Sequence, residues 1–361
     1  MRLRYFDRYG FVAGLLAALV LTGLIFLGSH RLRYFDWALM TYALSSVFAA
    51  FAVAYRYAVW AQRPPTRLYL KRGFQLFLRG PSGWGGKQKQ HDRPLHVAGN
   101  TLTLAHLLLE NFFLQKFISK RGYQRWIMHA CLSWGGMLAF MITFPLVFGW
   151  IHFETLPLNA EVYRVFLFGL EVDRFPVHGL RAFICFNLLN LSALVLLAGL
   201  VLAVKLRMSD RGEMAVQTYV DDVMPLFLLF IVTVSGLMLT VSYRFMAGYG
   251  YAFISLAHAA SVIALLLYLP FGKLFHIFQR TASLGVSFYK KAGAAGPRAC
   301  CLRCGEDFAS RMHVQDLEEV LDELGFNFRY AAPTGEIHYQ QICPSCRRRL
   351  LALNQGATLG R

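Results

Sequence analysis

Charge is scarce in this chain, and acidic charge scarcest. Of 361 residues only 20 are Asp or Glu against 37 Lys or Arg, and charged residues make up 16% of the whole. With 56% hydrophobic residues, the composition argues against a soluble enzyme and for a polytopic membrane protein. A glycine-rich nucleotide loop and a nucleophile–base pair are both missing, so no site for hydride transfer is expected. No internal repeat of fixed period is present. Cysteine is nearly absent from the first 299 residues, where only Cys131 and Cys185 occur, both inside apolar runs and expected to be buried small side chains. A cleavable leader is not expected either: residues 1–10 are basic, but the apolar run 11–28 is of span length and lacks a small-residue cleavage site.

The net charge of +17 would suit nucleic acid, yet the basic residues cluster between apolar stretches. That is the distribution of the positive-inside rule, so the expected partner is membrane lipid and no nucleic acid. Six spans are read at 10–29, 36–60, 126–151, 178–206, 223–243 and 252–277, each near the ~20 apolar residues needed to cross. The segment 63–125 is dense in Lys and Arg, and Lys205, Arg207 and Arg211 follow the fourth span. The segment 153–177 instead carries Glu154, Glu161, Glu171 and Asp173. Both termini are therefore expected in the cytoplasm and the acidic loop outside, although Arg31 and Arg33 sit against the rule in the first outer loop. Residues 80–94 read as a flexible polar loop and 101–120 as an interfacial helix. The expected organisation is two N-terminal spans (1–62), a basic cytoplasmic loop (63–125), a four-helix membrane domain (126–280), a linker (281–298) and a cytoplasmic tail (299–361). The fold class is all-α and polytopic, about six spans with a small metal-binding domain.

The last apolar stretch carries His258 and His276, eighteen residues apart. On one continuous helix that is about five turns and roughly 27 Å, which puts both imidazoles on one face, one near each membrane surface. His129 enters the third span at the inner depth of His276, and His178 opens the fourth at the outer depth of His258. Two depth-matched histidine pairs suit two stacked six-coordinate haems. Arg181 and Lys273 stand one turn from His178 and His276, where they can neutralise haem propionates. His152 is a rival outer ligand. Arg181, Arg244 and Tyr243 are weak candidates for a quinone site.

The segment YLPFGKLFHIF, with His258 upstream, resembles the last span of the membrane cytochrome b (gamma) subunit of respiratory nitrate reductases. Related subunits occur in heterodisulfide-reductase-like complexes. RWIMHACLSWGGMLAF resembles that family's earlier histidine-bearing span. The resemblance covers about 126–280. It implies b-type haem, one or two, with His276 and His129 as the inner pair. It implies as well a bacterial-type inner membrane, quinone or quinol as substrate, and cytoplasmic iron–sulfur or flavoprotein subunits as partners. Where the family has a second histidine in the earlier span this chain has Ala139, so the outer partner of His258, here His178, comes from depth alone.

Five cysteines fall in the tail. Cys301 and Cys304, then Cys343 and Cys346, form a CxxC…CxxC pair that favours a tetrahedral metal site over disulfides on the reducing side of a membrane. Cys300 is a spare neighbour. CxxCG with CPxC resembles both zinc ribbons and rubredoxin. Arg347, Arg348 and Arg349 stand where rubredoxins usually have Gly, which favours structural Zn over Fe. An amphipathic helix is expected at 314–326, and His313 and His338 are expected at the surface. The expectation is thus a membrane-anchor electron-transfer subunit. Its alternatives are a transporter or channel with proton-relaying histidines and a regulatory zinc domain, or a plain scaffold.

Overall fold

A computed structural model describes residues 6–79, 97–156, 159–209, 211–332 and 335–358; the polar loop expected at 80–94 lies outside the described residues. In chain order the helices and strands begin with α1 (Arg8–Gly28), α2 (Met40–Ala61), α3 (Pro64–Arg79), α4 (Val97–Leu108), α5 (Lys116–Ser119) and α6 (Tyr123–Val147). A sheet of β1 (Ile151–Leu156), β2 (Asn159–Leu167) and β3 (Leu170–Pro176) precedes α7 (Leu180–Ser209). Then come α8 (Arg211–Val216), α9 (Met224–Phe245), α10 (Tyr251–Tyr268) and α11 (His276–Ala294). The tail adds β4 (Arg298–Cys300), β5 (Asp307–Ser310), α12 (Arg311–Glu323), β6 (Arg329–Ala332), β7 (Gly335–His338) and α13 (Pro344–Thr358). The chain forms two compact units, Met1–Val59 with Gln115–Ile277, and Trp60–Leu114 with Phe278–Arg361.

The first unit is mostly helical. Among the described residues six helices are long and apolar enough to cross a bilayer, which fits a multi-pass membrane protein: Arg8–Gly28, Trp37–Ala61, Tyr123–Val147, Leu180–Ser209, Tyr219–Phe245 and Tyr251–Tyr268. In lipid no water drives apolar faces together, so close backbone approach must do the work. Small residues supply it. A Cβ on Gly135 would come within 2.8 Å of the Leu196 backbone nitrogen, and one on Gly199 within 2.8 Å of the Leu132 nitrogen, so α6 and α7 meet reciprocally at glycine. Gly14 does the same for α1 against Phe51 of α2.

The acidic segment after the third span is no simple loop: β1, β2 and β3 form an antiparallel meander. Its alternating stretch EVYRVFL is strand-like, and Arg164 bridges Glu171 at 2.5 Å across the β2–β3 pair. Glu171 takes a second cation, Arg174, and the hydrogen bonds from Arg174 and Arg164 hold its carboxyl down at about 2. The fold is therefore not all-α.

The last span is likewise no single helix. It stops at Tyr268, and His276 opens a separate helix, α11, so the premise of two histidines on one helical face fails. Pro270 removes a helix donor and crowds the preceding turn. At Gly272 a Cβ would lie 2.0 Å from the Tyr268 ring, so a side chain there would force that ring to move. Arg56 of α2 donates to the carbonyl of Pro270 and lies 4.3 Å over the Phe275 ring. A guanidinium on that carbonyl answers the polar group left over when the helix stops. Lys273 is ion-paired with Asp222, and the Tyr268 hydroxyl donates to the carbonyl of Val220 at 2.7 Å.

In the second unit α3, α4, α11 and the tail share one core: Leu76, Leu107, Phe288, Tyr289, Ala292 and Met312. The expected linker 281–298 is mostly helix, because Phe288 and Ala292 recur at helical spacing and pack inward. Gly293 serves this packing, since a Cβ there would reach Ser310 Oγ at 3.0 Å. Asp316 is 1% exposed and accepts from Arg72 Nε at 2.9 Å and from the Tyr289 hydroxyl at 2.6 Å. Burial, then the Asp316 carboxylate beside it, holds the Tyr289 phenol far above its usual range. The expected helix at 314–326 is α12.

Candidate functional site

A strand–turn and the start of a helix bring the tail cysteines together. Cys301 follows β4 and Cys304 closes its turn; Cys343 precedes α13 and Cys346 lies in its first turn. The Sγ atoms of Cys304 and Cys343 are 3.7 Å apart, and all four Sγ atoms lie within 4.8 Å of one another. Metal–sulfur bonds of about 2.3 Å in a tetrahedron require edges of about 3.8 Å. The four thiols fit such an ion, Zn or Fe.

The turn is shaped for this. Gly305 takes a φ of 75° and donates its N–H to the Cys301 carbonyl at 2.9 Å, which suits glycine best. The N–H groups of Cys343 and Arg303 point at Cys301 Sγ, at 3.2 and 3.4 Å, and that of Cys346 at Cys343 Sγ, at 3.4 Å. Burial raises the Cys301 thiol, but the N–H groups of Cys343, Cys304 and Arg303 outweigh it and bring the thiol down to about 6. Burial and the neighbouring sulfurs push Cys346 up to about 12. Crowded sulfurs resist losing their protons together until a cation is there to displace them. Cys300 turns away and donates to Asp307 Oδ1 at 2.8 Å, so it stands outside the four. Among the described residues this is the one cluster of three or more potential metal-ligating side chains. His338, expected at the surface, is instead 4% exposed, its Nδ1 accepting the Gln340 N–H at 3.1 Å.

The spans contain a subtler arrangement. His129 on α6 has its Nδ1 2.9 Å from Gln115 Oε1. Gln115 is 6% exposed and takes a left-handed φ of 51° just before α5. Its Nε2 donates to Ser133 Oγ at 2.5 Å, and that hydroxyl donates to the His129 carbonyl at 2.8 Å. The order of donors leaves Gln115 Oε1 as acceptor, so Nδ1 of His129 carries the proton and Nε2 the lone pair.

His258 on α10 repeats the pattern against a different helix. Its Nδ1 is 2.9 Å from Ser235 Oγ of α9. Ser235 spends its own proton on the Ile231 carbonyl at 2.6 Å, so it accepts from His258. The next residue, Gly236, makes room: a Cβ there would lie 3.3 Å from His258 Cε1. His276 reaches the same tautomer locally, its Nδ1 2.6 Å from the Lys273 carbonyl, which can only accept. Three of the four proposed haem ligands thus share one prepared state, with the lone pair on Nε2. That is the form an iron takes, and its partners are of the kind that orient metal-ligating histidines. The chemistry of these three donors fits ligands to a haem iron.

The other sequence candidates stand apart. His178 is exposed in the turn between β3 and α7, since α7 opens only at Leu180. Arg181 pairs with Asp173 at 3.2 Å and Lys273 with Asp222, so each predicted propionate partner already has a carboxylate. His152 is stacked between Tyr34, at 4.0 Å, and Phe166, at 4.8 Å, which covers both faces of its ring. Cys185, expected to be buried, is exposed on α7. Tyr243 is 75% exposed at the end of α9. Gln115, Ser235, Gly236 and Arg56 are the residues that sequence reasoning missed or passed over as ordinary. Comparison with models of protein families, with curated proteins and with solved structures finds no match.

Proposed function

We propose that this chain is the membrane-anchor subunit of a quinone-linked oxidoreductase, a cytochrome b type protein passing electrons between the quinone pool and a cytoplasmic partner. The observation that carries the reading is the common tautomer of His129, His258 and His276, each with Nδ1–H engaged and Nε2 prepared for iron. A bound haem would supply the one-electron chemistry. The chain's own part is to hold the imidazoles in orientation, with His129 and His258 set in apolar helices. The partner is an iron–sulfur or flavin subunit and the membrane an inner membrane, as the family resemblance implies, with both termini on the cytoplasmic side that the basic segments favour.

In this reading His276 and His129 serve one haem and His258 a second. His178 would need its turn to fold inward to complete that second site, so the outer partner is the least supported residue. The tail is a zinc-bearing docking module, with its four sulfurs in a small core of Cys301, Ile337, Ile342 and Cys343.

A reduced-minus-oxidised spectrum of protein produced with ample haem decides the matter. A b-type α-band that is lost in part on His129→Ala supports the proposal. A wild-type protein with no haem band rejects it and favours the proton-relaying alternative. Metal analysis of the purified chain separates zinc from iron in the tail.

A further inference from the structure

We infer that Gln115 and Ser235 are positioning residues: side chains outside the ligand set that fix His129 and His258 as Nδ1–H imidazoles and so set how strongly each binds iron. The inference rests on the haem reading for its ligand, but its geometry stands independently. Both residues solve the same problem. An imidazole in an apolar span has two tautomers, and its ring turns unless something holds it. A polar side chain accepting at Nδ1 does both.

The two devices differ in what holds the acceptor itself. Gln115 is nearly buried, at 6% exposure, and left-handed, with φ 51° and ψ 40°. Such a backbone is strained for a residue other than glycine, so it persists only where neighbours require it. Ser133 is the neighbour: its hydroxyl accepts from Gln115 Nε2 at 2.5 Å, which prevents the amide from turning its nitrogen toward His129. Ser235 is held by its own helix through the Ile231 carbonyl at 2.6 Å. Each acceptor is therefore wired in one direction, backbone carbonyl to hydroxyl to imidazole, with the amide interposed at Gln115.

The consequence is a tuned ligand. An acceptor on Nδ1–H raises the electron-donating power of Nε2 and favours ferric over ferrous haem. Removing it weakens haem binding about tenfold or more and raises the midpoint potential, by about 59 mV for each tenfold change in the ferric-to-ferrous preference. Strengthening it does the reverse.

The test is made on the full chain in detergent, by redox titration of the haem bands. Gln115→Leu and Ser235→Ala should each raise the midpoint of one haem and leave the other in place. Gln115→Glu puts a stronger acceptor at the same atom and should lower that midpoint below wild type. Ser235→Thr keeps a hydroxyl and should restore the wild-type value. Opposite signs for Leu and Glu at position 115 cannot come from packing alone. Equal shifts for both, or no shift in any variant of a haem-loaded protein, would overturn the inference while leaving the electron-transfer reading intact. Should the wild type hold no haem, that reading fails instead. The nitrogen resonances of 15N-histidine protein then decide the positioning role. His129 and His258 should show a protonated Nδ1 in wild type and mixed tautomers in Gln115→Leu and Ser235→Ala; unchanged tautomers would reject it.

Discussion

The two candidate centres prepare their ligand atoms by opposite means. In the tail, backbone N–H groups from two turns converge on sulfur and stabilise the Cys301 thiolate. In the spans the backbone is consumed by the helices, so side chains do the corresponding work: Gln115 and Ser235 accept from imidazole nitrogens. The difference follows from where free backbone groups exist. A turn has them to spare; a helix crossing lipid offers them only where it ends or breaks, as at Lys273 beside His276. A turn-borne centre is therefore local and stands or falls as a unit. A helix-borne one is distributed and should fail by degrees.

The largest expected effect lies in the tail. Cys343→Ser removes a ligand and part of the core around Ile342, and a structural zinc site contributes about 10–16 kcal/mol to the fold that it closes. The variant should lose its metal, and limited proteolysis should cut the tail while the spans survive; a metal-free but resistant tail would break the comparison.

Acidity should act next. In the metal-free tail the sulfur next to Cys304 and Cys343, Cys346, holds its proton up to about 12, and Cys304 too is raised. At least two protons must leave for each ion bound, so affinity falls about a hundredfold per pH unit as pH drops. Cys301, at about 6, adds a further proton below that pH. Proton release on zinc titration, measured with an indicator dye, checks this.

A smaller loss is expected from Asp316→Ala in the second unit. It takes the acceptor from the buried Tyr289 hydroxyl and the nearest carboxylate from Arg72, which keeps Glu319 and Gln75, at a cost of about 3 kcal/mol. Thermal unfolding should show the tail melting early, with the span helices unaffected. Arg56→Leu should do least, about 1–3 kcal/mol, by leaving the Pro270 carbonyl without its donor. Its signature would be local: faster hydrogen exchange around the break at 269–275, with His276 still in place, because Pro270 and Gly272 enforce the break without help.

Much of the tail was legible from residue types alone. CxxC spacing places both sulfurs of a turn on one side, and nothing further along the chain can change that. The spans were legible too, since length and hydropathy are summed properties. The histidine sites were legible only as histidines. Gln115 stood in a polar-interrupted segment, fourteen positions before His129, and Ser235–Gly236 looked like any small pair in a span. The β-meander was passed over because its alternation is short and set among charges that read as loop. His338 was misplaced because its burial depends on strand pairing and on α12.

From its sequence alone this protein was committed to six apolar helices, to four sulfurs in two CxxC turns and to histidines within the spans, for these follow from composition and short spacing. Only the tertiary structure decided that Pro270 and Gly272 stop the last span before His276, that α11 continues where a linker was expected, and that His129 and His258 meet acceptors on other elements. Those outcomes depend on what packs beside a residue, and neighbours distant in sequence are chosen by the fold.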